Sequence, residues 1–258
     1  MSLLRAGDPP AFSTWNGDGR APLLLLCDHA GKAIPQALGD LGIHDHELGR
    51  HIGWDIGALE VARELSRLLD APLLSSTYSR LVIDCNRWPG GEGSIPPISD
   101  GVIIPANRAV SASEAAARAE ACFWPYHRAV DAAIARAAAR GVAPSLLVIH
   151  SFTPRMNGFD RPWHVGVLWD QDGRLPLPLL EELCKQADLV VGDNEPYSAR
   201  ATYEYTLRSH ALPNALPHCS IEIRQDLIAE RPAALAWAQR LAPAIGEAVR
   251  RAGTANQS

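Results

Sequence analysis

Four short strand-like runs in this 258-residue chain end on, or carry, side chains able to do chemistry, and one of them, Leu81 to Ile83, runs into Asp84-Cys85-Asn86-Arg87. Leu23 to Leu26 runs into Cys27-Asp28-His29. Leu146 to Ile149 ends abruptly in His150-Ser151. Ser220 to Ile223 carries Glu222 and is followed by Arg224. Consecutive aliphatic residues, as in Leu146 to Ile149 just after Pro144, suit a strand buried on both faces. In open α/β sheets ligands bind beyond the carboxyl ends of such strands, so these side chains are expected to meet in one polar crevice.

What they could do there follows from their types. Zinc favours neutral imidazole nitrogen plus a carboxylate, with one position left for water. His29 and His150 can supply the imidazoles and Asp55 the carboxylate. No HExxH motif fixes that choice, and each histidine can equally cap a strand and bond to a neighbouring loop. Asp55 lies four residues after His51, on one face if both are helical, and an aspartate in a first helical turn is also favoured by the helix dipole. His44, His46 and His51 themselves read as a solvated loop and a helix start. Arg80, Arg87 and Arg224 flank strand ends and suit bidentate binding of a substrate carboxylate, or else ion pairs with Asp84, Asp226 and Glu222. Glu222, flanked by Ile221 and Ile223, must be paired, metal-bound or catalytic if buried, and as a base it could take a proton from water. Nucleophilic alternatives are weaker: Ser151 has no GxSxG elbow, and Cys27 stands two residues from His29 without a relay geometry.

The elements that must position these groups read as follows. Residues 1 to 20 are a polar lead-in, and a strand covers Pro22 to Cys27. A helix over Ile52 to Leu69 has Ile56, Leu59, Ala62, Leu65 and Leu69 at helical spacing, with Asp55 in its first part. Strands are expected at Pro72 to Ser76 and Leu81 to Asp84. Residues 88 to 105 form a long glycine- and proline-rich loop, the kind that often serves a site; its GGEG lacks the features of a phosphate loop. A long alanine-rich helix spans Ser111 to Arg140, with Ser111 and Glu114 at capping-box spacing and Pro125 expected to kink or break it. Strands follow to His150, at His164 to Trp169 and at Leu189 to Val191, the last after a helix over Leu177 to Ala187. Tyr203 to His210 fits strand or helix. A last strand, Cys219 to Ile223, precedes a closing helix, Pro232 to Arg251, interrupted by Pro243. This order predicts one α/β domain over residues 1–258, three layers (α/β/α) around a mixed, mostly parallel central sheet.

Composition narrows the partners. The formal charge of -5 and pI near 6.0 argue against nucleic acid. Lys32 and Lys185 are the only lysines, leaving few candidates for Schiff-base chemistry. Five scattered cysteines without CxxC, no signal-peptide pattern and no membrane-length apolar run point to a reduced, cytoplasmic setting without a membrane partner. Assembly into a homo-oligomer is left open.

Taken together, CDHAGKAIP (27–35), HIGWDIGA (51–58), SRLVIDCNRWPG (79–90), LVIHSFTP (147–154), GDNEPYS (192–198) and IEIRQDLI (221–228) resemble the N-formylglutamate amidohydrolase family, from about residue 20 to residue 245. That family is similar in fold to zinc carboxypeptidases and aminoacylases. The resemblance implies one catalytic zinc per chain on His29 and His150, with Glu222 as general base; Asp55 is the choice for the third ligand, and Arg80 or Arg87 is expected at the oxyanion. Asn86, Arg87 and Arg224 would hold the carboxylates of a small acidic substrate. It departs from the wider superfamily at Lys32, where carboxypeptidases place a glutamate three residues after the first histidine. The implied reaction releases L-glutamate and formate from N-formyl-L-glutamate, as in the last step of one histidine degradation route. Other readings are another N-acyl amino acid or small peptide as substrate, or a non-catalytic binder of small acidic ligands.

Overall fold

The computed structural model describes residues 3–200 and 204–255. Its centre is a seven-stranded sheet of β1 (Phe12–Trp15), β2 (Leu23–Cys27), β3 (Leu73–Ser76), β4 (Ser145–Phe152), β5 (Val165–Leu168), β6 (Val191–Asp193) and β7 (His218–Arg224). The spatial order is β1-β3-β2-β4-β7-β5-β6. β3, β2, β4 and β7 run parallel in succession, as do β5 and β6, while β1–β3 and β7–β5 are antiparallel. The sheet is therefore mixed and mostly parallel.

Strict alternation along the central strands builds the layers. Leu23, Leu25, Leu147, Ile149, Ile221 and Ile223 pack with α1 (Ala58–Leu68), α4 (Pro176–Cys184) and α6 (Arg231–Ala255). Leu24, Leu26, Leu146 and Val148 point the other way, onto α3 (Trp124–Ala139) and α5 (Thr206–His210). Each leucine sealed in this way contributes roughly 2 kcal/mol of burial free energy. A third cluster gathers Leu81, Val82, Ile83 and Ile104 with Phe123.

Several elements differ from the sequence expectation, each for a physical reason. Leu81 to Asp84 is not a strand but a buried irregular turn. Asn107 Nδ2 donates to the Leu81 carbonyl, and Arg118 Nη1 to the Val82 carbonyl, in place of a neighbouring strand. Phe12–Trp15, expected as lead-in, is an edge strand on β3. The helix after His51 starts only at Ala58, because Gly57 at φ 79 breaks the chain direction. The helix predicted over Ser111 to Arg140 divides into α2 (Ala112–Arg118), a π turn at Ala119–Phe123 and α3. Ser111 and Glu114 form the capping box. Pro125 sits in the first turn of α3, where a missing N–H costs little. Pro243 lies inside α6, which runs through it. Of the ambiguous Tyr203 to His210, Thr206–His210 is helical and Tyr203 lies outside the described residues. Among the described residues no helix is long and apolar enough to cross a membrane.

Candidate active site

The carboxyl ends of β2, β4 and β7 open onto one cavity of about 420 Å³, walled by His29, His150 and Glu222 among others, a size suited to a small molecule. His29 follows the end of β2, and His150 lies near the end of β4. Glu222 is the register partner of His150 across the β4–β7 pair. Both alternate with core-facing isoleucines, so they share the opposite face.

Asp55 reaches the site through its loop rather than along a helix. Its N–H donates to the His29 carbonyl at 2.9 Å. Its Oδ2 accepts from the Ser151 N–H at 3.3 Å, and Ser151 Oγ donates to the Ile56 carbonyl at 2.9 Å. The loop is thus stitched between the ends of β2 and β4. Gly57 then turns the chain into α1, and a Cβ there would meet the Ile228 carbonyl oxygen at 2.2 Å. The expectation that His51 and Asp55 share a helical face is therefore corrected. His51 lies in a turn at the cavity rim, with Nε2 3.4 Å from Asp100.

The centre is dense with charge. His29 Nδ1 lies 3.4 Å, and His150 Nδ1 2.8 Å, from Asp55 Oδ2. One ligand atom from each of His29, Asp55 and His150 falls within 4.8 Å of the others, and all three residues are buried. His29 Nε2 donates to Asp84 Oδ1 at 2.7 Å, and Arg80 Nε and Nη2 donate to Asp84 Oδ2 at 3.0 and 2.7 Å. Burial alone would raise Asp55, yet the His29 and His150 imidazoles hold its carboxyl well below the usual range. Burial opposes a charge on His150, but the bond to Asp55 overrides it and pushes the ring up to about 10. Burial pushes Glu222 up to about 7, against the pull of His150.

Four buried atoms here have no hydrogen-bond partner among the described residues: His29 Nδ1, His150 Nε2, Asp28 Oδ2 and Glu222 Oε2. Such orphans are costly and rare in a finished interior. Two imidazoles and a carboxylate converging on one point, with a second carboxylate behind each ring, fit a divalent cation such as zinc.

The other predicted residues divide. Arg80 and Arg87 line the cavity. Arg80 is held by Asp84, with Nη1 left 3.6 Å from Asp55 Oδ1. Asn86 also lines it, but its Oδ1 accepts the N–H groups of Tyr205 and Thr206, both at 3.0 Å, and so anchors α5 to the 84–87 turn. Arg224 is not part of the wall. Its guanidinium donates to Asp226 at 2.8 and 3.3 Å and to the Arg161 carbonyl, so the expectation that it holds a substrate carboxylate is dropped. Cys27 is fully buried, and burial pushes its thiol far up, which rules out a ready thiolate nucleophile.

Sequence reasoning missed some of the wall. Glu204 lines the cavity, its backbone paired with that of Arg87 in an isolated antiparallel bridge, and burial raises its carboxyl. Tyr197 reaches the wall because Gly166, the antiparallel partner of Glu222, has no side chain: a Cβ there would lie 1.8 Å from the Glu195 carbonyl oxygen. GDNEPYS marked the Tyr197 loop, but nothing local marked Glu204. The loop at 88 to 105 contributes Gly93, Pro96, Ser99 and Asp100 to the wall, and Arg50 Nη2 ties it down at Asp100 at 2.6 Å.

Residues 21–229 match the family model described as N-formylglutamate amidohydrolase. The chain is similar to gene product Atu2144 from Agrobacterium tumefaciens, at 38% identity over 96% of this chain and 98% of that one, with a TM-score of 0.92. It also shares its fold with N-formylglutamate amidohydrolase from Ralstonia eutropha JMP134, at 22% identity over 95% and 98% of the two chains and a TM-score of 0.70. The curated proteins offer no significant match.

Proposed function

The chain belongs to the N-formylglutamate amidohydrolase family, hydrolases of linear amides, and from that premise we propose a zinc-dependent hydrolase of N-acyl amino acids whose substrate is N-formyl-L-glutamate. The products are L-glutamate and formate, the chemistry of the last step of a histidine degradation route. The observation that carries this reading is the convergence of His29 Nδ1 and His150 Nδ1 on Asp55 Oδ2, with Glu222 beside them.

A zinc ion held by His29, Asp55 and His150 would polarise the acyl carbonyl and acidify an attacking water. Glu222 accepts the proton of that water and hands it to the departing amino nitrogen. A carboxyl raised toward neutrality suits both transfers. Arg80 Nη1 donates to the developing oxyanion. Two bonds to Asp84 keep the guanidinium from swinging, so the donor is in place before charge develops. Arg87 takes a substrate carboxylate, with Asn86 beside it.

Hydrolysis of N-formyl-L-glutamate by the purified protein, with and without chelator and alongside metal analysis, tests this. The expected result is chelator-sensitive release of glutamate with about one zinc per chain. Zinc without turnover would redirect the search to other N-acyl amino acids. No metal and no turnover after adding zinc back would favour a non-catalytic binder of small acidic ligands.

A further inference from the structure

The two histidines at the centre are served unequally. His29 has its proton fixed on Nε2, because that atom faces Asp84 Oδ1 at 2.7 Å, and a carboxylate so tightly held by Arg80 accepts only. Its Nδ1 is thereby left bare, facing Asp55. For His150 to present Nδ1 in the same way, its proton must also sit on Nε2, and that atom needs an acceptor.

One carboxylate lies within 4 Å of it among the described residues. Asp28 Oδ2 lies 3.8 Å from His150 Nε2, and both atoms are buried without a hydrogen-bond partner. Asp28 is not free to look elsewhere. Its Oδ1 accepts from Tyr126 Oη at 2.7 Å, and its carbonyl oxygen accepts from Ser76 Oγ at 2.5 Å. Tyr126 is itself fully buried on α3, and its hydroxyl keeps its proton because burial among Asp28 and neighbouring thiols raises it well above the usual phenol value. The hydroxyl therefore donates to Asp28 Oδ1, so Asp28 has one oxygen engaged and the other facing His150.

We propose that Asp28 and Tyr126 are positioning residues that lock the His150 imidazole in its Nε2-protonated form, so that Nδ1 is delivered bare to the cation. The inference rests on the zinc reading above and extends it to residues outside the ligand set. A hydrogen bond to the outer nitrogen of a ligating histidine fixes ring orientation and raises basicity, and losing such a partner typically weakens metal binding 10–100-fold. The order of the chain fits this division. His29 receives its carboxylate from the 84–87 turn, and His150 receives its own from the residue immediately before His29.

The test uses Asp28→Asn and Tyr126→Phe in the full chain, with zinc alone as the probe. Zinc affinity is read by competition against a chromophoric chelator, the His150 tautomer by nitrogen-15 NMR of the zinc-loaded protein, and folding by the melting temperature of the metal-free form. Asp28→Asn should weaken zinc about 10–100-fold, and Tyr126→Phe by a smaller factor in the same direction. Wild type should show a hydrogen-bonded Nε2–H on His150 that is lost or weakened in both variants. Tyr126→Phe removes one oxygen from a core site, so it carries the test if Asp28→Asn does not fold. Zinc binding by wild type that stays unchanged in the folded variants, with an unchanged tautomer, would overturn this inference alone. A wild type that takes up no zinc would overturn the metal reading and this inference with it.

Discussion

Two buried clusters in this molecule join imidazoles to carboxylates, one around Asp55 and one around His127, and only the second satisfies its own atoms. In that second cluster His127 Nε2 donates to the Cys85 carbonyl at 2.9 Å, and His127 Nδ1 pairs with His210 Nε2 at 2.9 Å. His210 Nδ1 meets Asp131 Oδ1 at 2.6 Å. The two rings stack at 16°, with centroids 5.1 Å apart. The His29 and His150 rings are as close, 5.0 Å, but tilted at 47°, and each leaves one nitrogen without a partner. The same residue types therefore serve two purposes. Where every donor finds an acceptor, the cluster is scaffold: it pins the 84–87 turn against α3 and α5. Where His29 Nδ1 is left unpartnered beside Asp55, and His150 Nε2 beside Asp28, the cluster does not satisfy itself, and its donor set suits a bound cation.

The contrast can be broken at several points. The largest effect is expected from Glu222→Gln, which keeps the shape of the side chain but removes the carboxylate proposed as the base. Turnover should fall by about 10³-fold, and a variant with near wild-type kcat would remove Glu222 from its role. Next comes His127→Leu, which strands the Cys85 carbonyl and one His210 nitrogen. We expect a loss of about 3 kcal/mol in denaturant unfolding with zinc stoichiometry intact. Lost zinc in a still-folded variant would mean the two clusters are not separable.

A further effect concerns acid. Burial and the neighbouring His210 lower His127 to about 3, below the roughly 6.5 of an unfolded chain. The unfolded state therefore binds the extra proton first. The stabilising contribution is complete above that unfolded value and is lost as pH falls through the window toward about 3, by up to ~1.4 kcal/mol per pH unit. Unfolding of metal-free wild type and His127→Leu across pH 7 to 4 checks this: the variant should show the shallower slope. The smallest effect belongs to Asp131→Asn. The Asp131 carboxylate is 65% exposed, so its pair with His210 should contribute less than about 1 kcal/mol. A larger loss would make Asp131 as much a part of the scaffold as His127.

The legibility of these clusters in the amino-acid string was uneven, for reasons that lie in the interactions. Leu146 to Ile149 reads as a buried strand because a continuous apolar run has few other fates, and Ser220 to Ile223 because its isoleucines alternate with Ser220 and Glu222; their register placed His150 and Glu222 together. Leu81 to Ile83 carried the same signal and misled, since the side chains of Asn107 and Arg118, distant in sequence, take the backbone bonds a neighbouring strand would have made. Asp55 was singled out on its family motif, but its route to the site depends on Gly57, whose left-handed turn overrides the helical periodicity around it. Arg224 looked like an anion anchor until its partner two residues on, Asp226, claimed it. Tyr126 had no local mark at all: within an alanine-rich helix it reads as one more core aromatic, and only the third dimension sets its hydroxyl on Asp28.

The bare backbone at Gly166 gives a way to sort relatives of this chain. Any side chain at that position collides with the Glu195 carbonyl, so a homologue carrying even alanine there must have rebuilt the turn that presents Tyr197. Relatives that keep the glycine can share this pocket wall, and those that have lost it must build that wall differently, however well their histidines align.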